Sequence, residues 1–136
     1  MAGERGNRVV GIASAADIVA ARQEGRALAS GLGFSPSDLT VIATAISEVA
    51  RNIVEHAGRG EIQLSQCQEN GRVGVCVVAA DKGPGIHDLE RALRDGYSTH
   101  KGLGLGLPGA RRLMDEFEVV SEVGLGTTVT MRKWAP

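Results

Sequence analysis

Residues 35–56 read SPSDLTVIATAISEVARNIVEH, a stretch that carries its own start signal, period and stop. Ser35 is a capping residue, Pro36 suits the first helical position, and Asp38 completes a Ser-x-x-Asp capping box. Ile42, Ile46, Val49 and Ile53 then recur at spacings of four, three and four, a narrow apolar stripe of helical period. Gly58 and Gly60 end it. A long amphipathic helix must bury that stripe against another layer, and the next residues supply one.

Downstream, 61–69 and 72–80 are two β-rich runs joined by Asn70-Gly71, a pair suited to the positive φ angles of a type I′ hairpin turn. Ile62 and Leu64 alternate with polar neighbours, whereas Val73 to Ala80 is apolar nearly throughout. The second run is therefore expected to be central and buried on both faces. Upstream, 8–12 reads as a short edge strand behind a tail of residues 1–7. Ile18, Val19, Ala21 and Leu28 mark a first helix from Ala15 to about Ser30. Beyond Asp81 the pattern predicts a short helix over about 87–94, a glycine-rich loop, and a helix from about Leu107 to Glu116. A closing hairpin joins Phe117–Val123 to Thr127–Trp134. Helices and strands come in blocks, so the expected fold is α+β, a two-layer sandwich of a mixed β-sheet covered on one face by helices, forming one domain over 1–136.

Fifteen Lys plus Arg against sixteen Asp plus Glu leave a formal charge of −1, too little field to hold a polyanion, so nucleic acid is not an expected partner. No stretch is long and apolar enough to span a bilayer, and the N-terminus leads into no signal-peptide core. The expected compartment is the cytoplasm, with no membrane partner. Cys67 and Cys76 are too few for a zinc site and read as small hydrophobes. Glycine is in excess: nineteen residues, seven of them between Gly83 and Gly109. That local surplus asks for a local explanation.

Glu48 and Asn52 lie one helical turn apart, at roughly 120° and 80° from Ile42, on the flank of the apolar stripe. An amide oxygen suits Mg²⁺, which takes few protein ligands alongside substrate phosphates. The neighbouring carboxylate suits orienting or deprotonating a hydroxyl; a solvated helix edge is the plain alternative. Asp81-Lys82-Gly83-Pro84-Gly85 ends an apolar strand in an aspartate and then turns sharply. A carboxylate there can accept an N–H from an exocyclic amine such as adenine's, with Gly83 and Gly85 letting a base lie against backbone; an ordinary tight turn would look the same. Gly102-Leu103-Gly104-Leu105-Gly106 runs into a helix with Pro108 in its first turn. Free backbone N–H groups and a helix dipole make such a loop an anion site, to which Lys101 adds a point charge. It is neither a Walker loop nor a dinucleotide fingerprint. Thr127 opens the last strand with a hydroxyl for a base or a water.

In that order, Glu48-x-x-x-Asn52, Asp81-x-Gly83-x-Gly85, Gly102-x-Gly104-x-Gly106 and Gly126-Thr127 resemble the boxes of the GHKL ATPase and kinase superfamily, whose nucleotide-binding unit is the Bergerat fold. Within it the chain is similar to the anti-sigma-factor serine/threonine kinases of bacterial stressosomes, through Thr44–Asn52, Asp95–Thr99, Gly106–Phe117 and Ile18–Gln23. The resemblance implies ATP and Mg²⁺ as cofactors. It implies Asp81 on the adenine amine, Asn52 on the metal, and Glu48 as base for the attacking hydroxyl. Gly102 to Gly106 would hold phosphates, Thr127 would lie near the base, and 86–101 would be a short lid. His56, four residues after Asn52, is read as packing at the core edge. The implied substrate is a serine or threonine on a STAS-domain stressosome protein, and the implied second partner is a phosphatase that the released kinase activates. The alternatives are a histidine-kinase-like ATPase domain, a non-catalytic module that binds a sigma factor or phosphatase, and an ATPase without an acceptor.

Overall fold

A computed structural model of the chain describes residues 4–86 and 106–136. Strand β1 (Glu4–Ile12) is followed by helices α1 (Ala15–Ser30) and α2 (Pro36–His56), and then by β2 (Gly60–Glu69) and β3 (Arg72–Asp81). After 87–105 come helix α3 (Gly106–Leu113) and strands β4 (Glu116–Glu122) and β5 (Gly126–Trp134). The helix expected over 87–94, together with Lys101, Gly102, Leu103, Gly104 and Leu105, lies outside the described residues.

The start of α2 forms as its sequence dictates. Ser35 is extended, and its hydroxyl accepts the Asp38 N–H at 3.1 Å. Ile42, Ile46, Val49 and Ile53 are all fully buried. Each such aliphatic side chain contributes about 1.5–3 kcal/mol relative to exposure. Against that stripe α1 presents Ala21, Gly25 and Ala29, one small-residue row at i, i+4 and i+8, and Ile46 fills the space above Gly25. Small side chains bring the two helices close. Val19, expected on the apolar face, is exposed, and the buried row runs through Gly25 and Ala29 instead.

The hairpin turn is as read: Asn70 and Gly71 have φ of 53° and 78°, the two positive values that a type I′ turn needs. Residues 4–7 belong to β1 and are not a tail. The long β2 partner offers hydrogen bonds as far as Cys67, and an irregularity between Arg5 and Arg8 takes up the residues between them. Strand β4 likewise starts at Glu116, because the Asp115 N–H donates to the Arg132 carbonyl and draws this segment out of α3 and into the ladder.

The sheet order is β1-β2-β3-β5-β4, and every adjacent pair is antiparallel. The expected mixed sheet is thereby corrected. The crossover from β3 through α3 leaves β4 running parallel to β3, but β5 turns back between them and removes the parallel contact. Ile62, Leu64, Val75, Val77, Ala79, Val129 and Met131 face the helices and form the core with α1, α2, Leu107 and Ala110 of α3. The opposite face carries no helix among the described residues, giving a two-layer α+β sandwich. Central β3 is buried on both faces only as far as Val77. Beyond it Val78 and Ala80 are partly exposed, because their side chains point away from the helical layer.

Candidate active site

At one end of the sheet the register sets four residues in a single row: Gly60 opposite Asp81, Asp81 opposite Thr127, and Thr127 opposite Ser121. Side chains alternate along a strand, so Asp81, Thr127 and Ser121 share the helix-facing side with Ala79, Val129 and Val119. The Asp81 Oδ1 accepts the Gly83 N–H at 2.9 Å, which locks the turn and leaves Oδ2 with no bond to a described residue. Gly83 in turn lies against Ala57, where α2 ends, and a Cβ there would come within 2.5 Å of the Ala57 Cβ. Strand exit and helix end are thus in contact.

Thr127 is 7% exposed, and its Oγ1 lies 2.8 Å from the Ser121 Oγ. Ser121 also accepts the Ile86 N–H at 2.8 Å, tying the end of the Asp81–Ile86 turn to β4. Gly124 N–H donates to the Pro84 carbonyl at 2.8 Å, so the tip of the last hairpin leans on the same turn. Gly126 holds φ at 130°, and a Cβ on it would collide with the Asp81 carbonyl oxygen. This backbone region is essentially reserved for glycine, at a cost of about 1–3 kcal/mol for other residues, before any clash. Gly126→Ala is expected to lower the unfolding free energy by at least that much, with a matching fall in the denaturation midpoint, and to push Asp81 out of line. A midpoint equal to wild type in chemical denaturation would contradict this.

Along α2, Arg26 of α1 reaches Thr40, which places α1 on one flank of the helix. Glu48, Asn52 and His56 lie on the other flank, one turn after another, so Asn52 is about 6 Å and Glu48 about 12 Å from His56 along the axis. His56 lies within electrostatic range of Asp81, which brings this flank to the Asp81 row. Asn52 is half-buried and bonds to no described residue, while the Glu48 Oε1 accepts Arg51 Nη1 at 2.8 Å. That pair is mostly solvated on the arginine side, 48% exposed against 26% for Glu48, so it orients the carboxylate more than it stabilises the fold.

The His56 Nε2 is buried without a partner, and burial lowers the imidazole pKa below 6.5, with Glu55 and Asp81 pulling weakly the other way. The unfolded chain therefore takes up this proton first as pH falls. Stability is retained above pH 6.5 and lost on descending through the window below it. His56→Gln should flatten that part of a thermal-unfolding series between about pH 7.5 and 5, the interval where histidine titrates. Equal slopes in the two proteins would remove His56 as the cause.

A cleft of about 650 Å³ opens at this end of the sheet, bordered by Arg59, Glu61, Ala80, Asp81, Lys82 and Thr128. It reaches Asp81, but Glu61, Ala80 and Thr128 face away from the helices, and Asn52 and Glu48 do not border it. Side-chain direction is the better guide here than volume. Asp81 and Thr127 point to the helix side of the sheet, and Asn52 and His56, whose Nε2 has no partner, share one flank of α2.

Of the residues singled out in the sequence, Asp81, Gly83, Gly85 and Thr127 come together in one row and turn, and Asn52 and Glu48 share one flank of α2. Gly106 opens α3. Lys101 and residues 102–105 lie outside the described residues. Ser121, Arg51 and the orphaned nitrogen of His56 were not legible as parts of the site. The spacing of Glu48 and Arg51 hints at their pair, whereas Ser121 becomes significant only through its register with Thr127.

The sequence model of the histidine kinase-like ATPase domain family matches residues 12–133. The chain is 52% identical over 118 residues to serine/threonine-protein kinase RsbT of Bacillus subtilis (strain 168), covering 87% of this chain and 89% of that protein. It is 34% identical over 114 residues to an anti-sigma F factor of Geobacillus stearothermophilus, covering 79% of this chain and 77% of the relative. A second anti-sigma F factor, from Caldanaerobacter subterraneus subsp. tengcongensis, is 31% identical over 114 residues, covering 79% and 78%. A five-stranded sheet under a helical layer, a sequence match over nearly the whole of it, and a half-identical relative agree: this chain belongs to the histidine kinase-like ATPase domain family.

Proposed function

We propose that the chain is an ATP-dependent protein kinase that phosphorylates a serine or threonine of a STAS-domain stressosome protein. On release it would activate a downstream phosphatase in a cytoplasmic stress response. The observation that carries the reading is Asp81, with one carboxylate oxygen held and one open, on a turn that touches the C-terminal end of α2, the helix whose flank bears Asn52 and Glu48. The half-identical RsbT, named as a serine/threonine-protein kinase, supports the choice of acceptor.

Bound MgATP supplies the activated phosphoryl group. Asp81 Oδ2 accepts from the adenine amine, and Thr127 lies beside the same ring. No cluster of three or more His, Cys, Asp or Glu able to hold a metal occurs among the described residues. Asn52 would share a Mg²⁺ with phosphate oxygens, since that ion takes few protein ligands alongside substrate phosphates. Residues 102–106, preceded by Lys101, lead into the N-terminus of α3, whose dipole favours anions. Glu48, one turn before Asn52 on α2, takes the proton of the acceptor hydroxyl while Arg51 holds its other oxygen.

Incubation with Mg²⁺ and γ-labelled ATP and a panel of STAS-domain proteins tests the reading. Label stable to acid and located on serine or threonine is expected. Acid-labile phosphohistidine, or ATP hydrolysis with no acceptor, would overturn it. The anti-sigma F relatives favour one second reading, capture of a sigma factor. Nucleotide-dependent retention of a sigma factor without transfer to any STAS protein would select it.

A further inference from the structure

We propose that Arg51 recognises the acceptor protein: the open donors of its guanidinium take a carboxylate that lies within about two residues of the phosphorylated hydroxyl. The proposal rests on the reading of Glu48 as the base that receives this hydroxyl. Around the α2 axis Asn52, Glu48 and Arg51 stand roughly 80°, 120° and 180° from Ile42, a sequence that runs from the core edge outward. Exposure rises the same way, from 26% for Glu48 to 48% for Arg51. A protein that delivers a hydroxyl to Glu48 from solvent therefore comes in across the strip that Arg51 occupies.

A guanidinium offers five N–H donors in a planar fork. Arg51 makes one bond to a described residue, from Nη1 to the Glu48 Oε1 at 2.8 Å, and that bond fixes the fork beside the carboxylate. Arg8 and Arg72 are tied twice. Arg8 bonds both the carboxylate and the carbonyl of Glu24, and Arg72 pairs with Glu69 while stacking over the Trp134 ring at 4.2 Å. No other described residue uses the rest of the Arg51 fork. Thr40 and Thr44, hydroxyls on the same strip, donate to the carbonyls of Pro36 and Thr40 one turn back. Glu55, one turn beyond Arg51, is exposed and adds a second carboxylate. A visiting carboxylate is thus repelled by Glu48 and Glu55 and attracted only at Arg51, which selects its position as well as its charge. One N–H···O bond, the width of the fork and a second such bond set it about 8 Å from the Glu48 oxygen, the reach of about two extended residues.

The test measures steady-state transfer from saturating MgATP to the STAS-domain protein that takes label from the wild type, with its phosphorylated residue mapped. A carboxylate should lie within two residues of that site. Changing it to the amide should lower kcat/KM about tenfold, chiefly through a higher acceptor KM, the worth of one charge-assisted hydrogen bond. Arg51→Met should show the same loss, and in that background the amide acceptor should lose nothing further. Arg51→Lys, which keeps the charge without the fork, should recover part of it. An arginine that only orients Glu48 would instead lower kcat by one factor for both acceptors. That equal factor, or a phosphorylated site with no carboxylate within two residues, overturns the proposal. Should Arg51→Met not fold, Arg51→Gln carries the same test. Glu48→Gln separates this from the underlying reading. If it slows transfer while Arg51→Met shows no coupling to the acceptor carboxylate, only the role of Arg51 fails; if it changes nothing, the placement of the acceptor on α2 fails.

Discussion

Glu48→Gln is expected to slow phosphate transfer by about 10²–10⁴-fold while leaving ATP affinity near the wild-type value, the range set by removal of a general base. The substitution keeps the shape of the side chain and its place on the flank of α2 away from α1. What it removes is the charge that draws a proton from the acceptor hydroxyl. It also weakens the pairing with Arg51, but a pair this exposed contributes little, about 0–1 kcal/mol, so the fold should not change. Single-turnover transfer to a STAS substrate, measured with saturating ATP, reads the chemical step directly. A wild-type rate would demote Glu48 to a surface carboxylate that happens to salt-bridge Arg51.

Asp81→Asn should weaken ATP binding roughly tenfold to a hundredfold, equivalent to about 1.5–3 kcal/mol for a hydrogen bond to a charged acceptor. The variant isolates one oxygen. An asparagine carbonyl can still accept the Gly83 N–H that Oδ1 accepts at 2.9 Å, so the turn survives. The other oxygen becomes an NH₂ group, which meets the adenine amine donor to donor. Unfolding midpoints should therefore stay close together while calorimetric affinity falls. Equal affinity with an intact fold would take Asp81 out of the site.

What the sequence disclosed and what it hid follow from the range of the interactions involved. The start of α2, the Asn70-Gly71 turn and the apolar stripe are set by residues within a few positions of one another, and they appear as read. Asp81 and Thr127 were each visible as chemically suited residues, but their face-to-face placement depends on β5 entering between β3 and β4. No local pattern encodes that insertion, and the expected mixed sheet failed for the same reason. Ser121 sits in an alternating edge strand where a serine is unremarkable until its partner across the hairpin is known. His56 was read as packing at the core edge. Its ring nitrogen without a partner depends on how closely the end of α2 approaches the sheet, a distance that helical periodicity does not contain.

The strand order has a consequence for biosynthesis. Asp81 and Thr127 lie 46 residues apart in the chain yet adjoin in the sheet, so a nascent polypeptide released only as far as residue 123 holds the first of them without the second. Until β5 slides into its slot, β3 keeps an unpaired edge, the kind of exposed backbone that invites wrong partners. Nucleotide capture by ribosome-bound intermediates of increasing length should then switch on abruptly once β5 has cleared the exit tunnel. The ligand would serve as a sensor that the sheet has closed.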